Sequence, residues 1–209
     1  EWDQARVGVI GANGSGKSTF VRLLNGLVRP DVGAVHVDGL LVDRNLAAVR
    51  RRVGFVFQQP DHQIVMPTVA EDVAFGLTNQ GLARHEIDSR VARTLAHYGL
   101  THLAQRPCYR LSGGEKQLLA LAGVAAMAPS LIVFDEPTAL LDLRNRNQVR
   151  AAISGLSQHV VLVTHDLELL GDFDRVLVFH TGRLVFDGPP APAIDAYRAL
   201  IADVERSTE

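Results

Sequence analysis

Short apolar stretches rich in β-branched residues alternate along this chain with longer segments in which apolar residues recur every three or four positions. The first pattern predicts strands and the second amphipathic helices, and their alternation predicts a mostly parallel α/β core. Strands are expected over residues 6–10, 34–37, 53–57, 131–134 and 160–163. A hairpin follows, 176–179 with 184–186, turning through His180-Thr181-Gly182-Arg183. Helices are expected over 17–27, 86–98, 114–127, 144–156 and 192–204. Between residues 61 and 128 the strand pattern disappears, while Ile87, Val91, Leu95 and Tyr98 keep helical spacing. Thr68-Val69-Ala70-Glu71 and Ser112-Gly113-Gly114-Glu115 read as capping boxes that open helices. The pattern predicts a single domain over 1–209, with an α/β core from 1–60 and 129–209 and a helical subdomain inserted over 61–128.

Composition narrows the class without naming a function. At about 150 residues per domain, 209 residues allow one or two domains. A core of that size needs neither disulfides nor structural metal. The 47% hydrophobic and 21% charged residues exclude disorder. Lys plus Arg number 21 against 23 Asp plus Glu, a balance that argues against bulk nucleic acid as the main partner. A lone Cys108 excludes a disulfide framework and fits a reducing, cytosolic setting. The longest apolar run, 118–128, has eleven residues, and a membrane-spanning helix needs about 20. No signal-like start is visible; the chain begins at Glu1, ten residues before its first motif.

That motif is Gly11-Ala12-Asn13-Gly14-Ser15-Gly16-Lys17-Ser18-Thr19, placed between an expected strand and an expected helix. Glycines at this spacing let several backbone N–H groups converge on one anion, and the helix start adds its positive end. Lys17 is expected to reach the outer phosphates of a nucleoside triphosphate, and the Ser18 hydroxyl to ligate Mg²⁺. A second feature is the expected strand 131–134, which runs into Asp135 and Glu136. Neighbouring side chains on a strand point to opposite faces, so the two acids can differ in role. Asp135 suits the Mg²⁺ shell and Glu136 the activation of a water. Taken alone, they read first as solvated caps of a strand end. Leu111-Ser112-Gly113-Gly114-Glu115 offers another glycine-rich helix start, which on its own reads as a capped helix.

Leu111-Ser112-Gly113-Gly114 is similar to the signature of ABC-type ATPases, and the other motifs of that family follow in its order. Gln58, in Val56-Phe57-Gln58-Gln59-Pro60, resembles the Q-loop glutamine. Pro137-Thr138-Ala139-Leu140-Leu141-Asp142 resembles the D-loop, and His165 in Leu162-Val163-Thr164-His165-Asp166 the switch histidine. The resemblance spans residues 11–166 and implies a P-loop NTPase fold with a RecA-like sheet, an ATPase activity, and ATP with Mg²⁺ as cofactors. It implies catalytic roles for Lys17, Gln58, Glu136 and His165. It places ATP on Gly11, Asn13, Gly14, Ser15, Gly16, Lys17, Ser18 and Thr19, and Mg²⁺ on Ser18, Gln58 and Asp135. Ser112, Gly113, Gly114 and Asp142 are implied to meet the ATP of a second ATPase subunit in a head-to-tail pair, a homodimer being favoured. Two sites arise by symmetry from loops that each occur once.

The stretch from Phe57-Gln58-Gln59-Pro60-Asp61-His62-Gln63 to Pro67-Thr68-Val69-Ala70-Glu71-Asp72-Val73-Ala74-Phe75-Gly76 resembles ATPase subunits of energy-coupling-factor transporters. Leu140-Leu141-Asp142-Leu143-Arg144-Asn145-Arg146 looks most like their biotin-type subunits, then the cobalt-type. This implies import of a vitamin or metal ion, with biotin ahead of cobalt or nickel. It also implies a transmembrane coupling subunit, a substrate-binding membrane subunit and a peripheral place on the cytoplasmic face of the membrane. No nucleic-acid partner is expected. The competing readings are a soluble ABC ATPase acting on nucleic acid or ribosomes, the ATPase of a different ABC importer, and a non-hydrolysing regulator.

Two departures from the family stand out. Leu118 follows Gln117 where a basic residue is usual, and the family's adenine-stacking aromatic lies farther upstream than this chain reaches. An N-terminal β segment carrying that contact is therefore expected to be missing, with Trp2 an edge or surface residue. Arg50-Arg51-Arg52 reads as a solvated face before a strand, with anionic lipid or the membrane partner as the alternative.

Overall fold

A computed structural model describes residues 3–206. Its strands are β1 (Arg6–Gly11), β2 (His36–Val37), β3 (Leu40–Leu41), β4 (Val53–Val56), β5 (Leu131–Asp135), β6 (His159–Val163), β7 (Arg175–His180) and β8 (Arg183–Gly188). Its helices are α1 (Lys17–Leu23), α2 (Leu46–Arg52), α3 (Val69–Asn79), α4 (Arg84–His97), α5 (Gly113–Ala126), α6 (Leu143–Ser154) and α7 (Pro190–Arg206). Six strands form one sheet in the order β4-β5-β6-β1-β7-β8, with every neighbouring pair parallel except β7–β8.

The inner strands are buried on both faces, which is why they read as unbroken apolar runs. Val7, Val9, Val133, Val161 and Val163 point to one side, where they pack with Val21, Leu24 and Val49. Ile10, Ile132, Phe134, Val160 and Leu162 point to the other, against Leu119, Leu121, Val149 and Ile153. The parallel strands end together, so β1, β5 and β6 deliver the phosphate loop, the two acids and His165 to the C-terminal rim of the sheet. Such a rim is where open α/β sheets bind their ligands.

The hairpin is as the pattern expects, with Thr181 at φ 45° and Gly182 at φ 78° in its turn. Two expectations need correction. The first helix stops at Leu23, not near 27, because Gly26 adopts φ 67° and Leu27 N and Val28 N fold back onto Arg22 O. Within 34–37 only His36–Val37 is extended, and it leaves the main sheet to pair with Leu40–Leu41 across Asp38 and Gly39, both at positive φ. The Arg50–Arg52 run is an exposed face just before β4, as expected; it forms the last turn of α2, and Arg50 also donates to Asn25 O and Gly26 O. Trp2 lies outside the described residues.

Between 61 and 128 the chain forms α3, α4 and α5 plus short 3₁₀ turns, with an isolated bridge joining Thr68 and Pro107. Ile87, Val91 and Leu95 are buried, as their spacing predicts.

Candidate functional site

The phosphate loop turns sharply out of β1. Gly11 sits at φ 153°, and a Cβ there would lie 2.2 Å from Phe179 O and 2.6 Å from Ser15 Oγ, so only glycine fits. Gly14 and Gly16 follow at φ 73° and 99°. Ser15 N closes the loop on Ala12 O, and Gly182 N of the β7–β8 turn donates to Ser15 O at 3.1 Å. The loop is thus braced from a segment far away in sequence. The Ser15 hydroxyl is buried and has no protein partner. Together with the first-turn N–H groups of α1, which have no intrahelical acceptor, it leaves the loop short of acceptors, as an oxyanion site requires. Lys17, 4% exposed, donates from Nζ to Gly11 O and Ala12 O at 2.8 and 2.9 Å. Burial lowers its pKa, and the carboxylates of Glu136 and Asp135 oppose that shift.

The acids diverge as strand geometry predicts. Asp135, 3% exposed, accepts from Ser18 Oγ at 2.8 Å on one oxygen and from Arg22 at 3.1 Å on the other. Ser18 and Arg22 are four residues apart on α1 and therefore share a face. Glu136 leaves the strand at φ 52°, a left-handed conformation unusual for a non-glycine residue, anchored by its N–H on Val163 O. That twist turns its carboxylate towards two other motifs. Gln58 Nε2 lies 3.5 Å from Oε2, and His165 Nε2 lies 3.2 Å from Oε1.

A hydroxyl and a carboxylate side by side are hard oxygen donors, and Mg²⁺ bound through substrate phosphates needs only one or two such protein ligands. Ser18 and Asp135 fit that ion. The described residues hold no cluster of three or more His, Cys, Asp or Glu that could bind a metal by themselves. The Gln58 amide hydrogen-bonds Glu136, so the structure joins Gln58 to that acid and, among the described residues, shows no bond from it to the Ser18–Asp135 pair.

A second group forms at the start of α5. Ser112 N donates to Glu115 Oε2 at 2.7 Å and Glu115 N to Ser112 Oγ at 3.3 Å, completing the expected capping box. The first of these bonds holds the Glu115 carboxyl below its usual pKa. Ser112 and Gly113 are exposed, whereas Gly114 is buried against Asn145. Asp142 caps α6 by accepting from Asn145 N. The Gln58 loop is stitched to α5 by residues the sequence reading passed over. Gln63 accepts from Phe57 N and donates to Ala120 O, Gln117 donates to Phe57 O, and Lys116 pairs with Asp61 at 2.6 Å.

The phosphate loop, Asp135, Glu136, Gln58 and His165 therefore come together, and Ser112, Gly113, Gly114 and Asp142 form a separate cluster. Among the described residues no hydrogen bond or ion pair joins the two. Leu118, which stands where a basic residue is usual, is buried and packs in the hydrophobic core.

The family model for the ABC transporter matches residues 2–139. The chain belongs to the ABC transporter family. ABC cassette subunits are ATPases, and this member is of the energy-coupling-factor group that its motifs resemble. It is 57% identical over 195 residues to a putative ABC transporter ATP-binding protein of Deinococcus radiodurans, covering 93% of this chain and 86% of that one. It is 50% identical to the biotin transport ATP-binding protein BioM of Rhizobium etli, covering 94% and 88%. With the energy-coupling factor transporter ATP-binding protein EcfA1 of Streptococcus pneumoniae it shares 43% identity, over 91% and 70%. The structure of cbiO1 from Clostridium perfringens, part of the ABC transporter complex cbiONQ, superimposes with a TM-score of 0.82 at 33% identity over 97% and 84% of the two chains. The ATP-binding cassette MJ0796, solved as a dimer in a post-hydrolysis state with ADP and Pi, gives 0.80 at 28% identity, over 91% and 88%.

Proposed function

We propose that this ABC ATPase powers the import of a vitamin or metal ion, biotin first and cobalt or nickel next, through an energy-coupling-factor transporter. The 50% identity to a biotin transport ATP-binding protein supports the choice of substrate. Among the described residues no helix is long and apolar enough to cross a membrane, and the proposal assigns the translocation path to other subunits. The partners are a transmembrane coupling subunit and a substrate-binding membrane subunit, with this chain peripheral on the cytoplasmic face. The same reading divides the chain into a core, 1–60 and 129–209, and a helical subdomain, 61–128.

In this reading the phosphate loop holds ATP through its backbone and Lys17, which exchanges its present carbonyl acceptors for phosphate oxygens. Ser18 and Asp135 hold Mg²⁺, which supplies charge neutralisation at the outer phosphates. Glu136 takes a proton from the attacking water, and His165 orients the γ-phosphate side. Gln58 senses the same carboxylate and carries its state, through the Gln63 and Gln117 bonds, to α5. Ser112, Gly113, Gly114 and Asp142 complete the site of a second copy, so that ATP closes a head-to-tail homodimer and hydrolysis opens it.

The observation that carries this function is the placing of Glu136 between Gln58 and His165, one residue from the Ser18-bonded Asp135. Glu136→Gln is expected to lower turnover by about 10²–10⁴ and to accumulate an ATP-bound dimer. Unchanged turnover would remove Glu136 from its role. Membrane co-purification with two integral subunits is expected for the transporter, and recovery with ribosomes or DNA would overturn it.

A further inference from the structure

The glycine-rich start of α5 and the Asp142 corner are far apart in sequence but share a neighbour. Asn145 N donates to Asp142 Oδ1 at 2.8 Å, and Asn145 Nδ2 donates to Asp142 Oδ2 at 2.9 Å. Both oxygens of Asp142 are thereby engaged. The other end of the same amide presses on the signature turn, where a Cβ on Gly114 would lie 2.2 Å from Asn145 Oδ1. Asparagine suits this place because its short planar amide offers a donor edge to the carboxylate and a compact oxygen to the glycine. Outward of this contact lie the exposed Ser112 and Gly113, with Leu140 and Leu143 at 69% and 70% exposure on either side of Asp142.

We propose that Asn145 is a positioning residue that fastens the Ser112–Gly114 turn to the Asp142 corner, so that both meet a second copy of the chain as one preformed surface. The inference rests on the paired-site reading above and adds the residue that sets the geometry of its trans half. Elements that move separately each lose freedom when an interface closes, and a latch made beforehand removes part of that cost. The latch touches none of Lys17, Ser18, Asp135 or Glu136 in the hydrogen bonds of Asn145. Its loss should therefore weaken pairing and spare nucleotide binding within one chain.

The test uses the full chain in the Glu136→Gln background and follows the ATP concentration at which dimers form, by analytical ultracentrifugation. Affinity for a fluorescent ATP analogue is read separately, at dilutions where the chain is monomeric. Asn145→Ala removes the side-chain amide, and with it the bond to Asp142 Oδ2 and the oxygen against Gly114, while the backbone bond to Asp142 Oδ1 stays. Asn145→Asp keeps the bulk beside Gly114 but sets a carboxylate against Asp142, and it carries the test if the alanine variant folds poorly. Both are expected to raise the dimerisation midpoint at least fivefold, with the monomer affinity within twofold of the parent. Midpoints equal to the parent's would overturn the inference, as would an equal fall in both readouts. A parent that stays monomeric at saturating ATP would overturn the paired-site reading and this inference together.

Discussion

The two clusters that carry the motifs are built on opposite principles. At the sheet's C-terminal rim the working side chains are already in contact with one another, from Ser18 to Asp135 and from Gln58 through Glu136 to His165. The Lys17 ammonium and the Asp135 carboxylate are almost fully buried there. At the start of α5 the side chains are also bonded, but only to hold an exposed turn and corner in shape. The first arrangement is that of a reaction centre, in which fixed charges wait for a substrate. On the proposed function, the second is that of a surface shaped for a partner. One chain therefore holds a nearly wired cluster and a second, exposed one, which the proposed function assigns to the site of another copy.

Substitutions that break the wired side should cost most. Gly11→Ala forces a Cβ into Phe179 O, and nucleotide binding in a titration should be lost, with melting showing about 3 kcal/mol of destabilisation. A variant that binds normally would show that the loop can relax. Arg22→Ala leaves Asp135 with one of its two partners. Because Arg22 is 42% exposed, the expected loss in chemical denaturation is a screened one, about 1–2 kcal/mol. Unchanged stability would mean that solvent replaces the guanidinium. Gln63→Ala acts between the two regions. About 1 kcal/mol of stability should go, and the Phe57 amide, which donates to Gln63, should exchange faster with solvent; unaltered exchange at Phe57 would deny that Gln63 stitches the loop to α5.

The smallest effect belongs to the cluster at the start of α5 and depends on pH. The folded state holds Glu115 below its usual value of 4.5, so its contribution is present above that value and fades as pH falls through the folded-state value. Glu115→Gln should therefore flatten the acid end of a melting-temperature profile and leave its slope near neutrality alone. An unchanged acid limb would show that the capping bond to Ser112 N does not depend on the charge.

Much of this was legible in the sequence because it is contiguous. The phosphate loop needs glycines at fixed intervals, and Asp135-Glu136 lies at the end of a run that can only be a buried strand. The parallel strand pattern then places these motifs at one rim without further information. What the sequence could not show depends on contacts between distant segments. Nothing near Asn145 marks it as the neighbour of Gly114, and Gln63 acquires meaning only once α5 lies beside it. Arg22 was within reach, since it stands one helical turn after Ser18, but the pattern does not say what lies opposite that face. The helix over Leu46–Arg52 escaped because its apolar face is only Leu46 and Val49, too few positions to establish a period.

The bond from Gly182 to Ser15 has a consequence for how small this machine can be made. The family match ends at residue 139 and the last recognised motif at 166, yet the phosphate loop leans on a turn beyond both. β1 itself lies between β6 and β7, with Gly8 opposite Val176. A fragment cut after Asp166 would keep every motif by which the chain is recognised. It would also lose one flank of the strand that carries the loop and the prop beneath it. The smallest recognisable piece and the smallest working piece of this protein are different molecules.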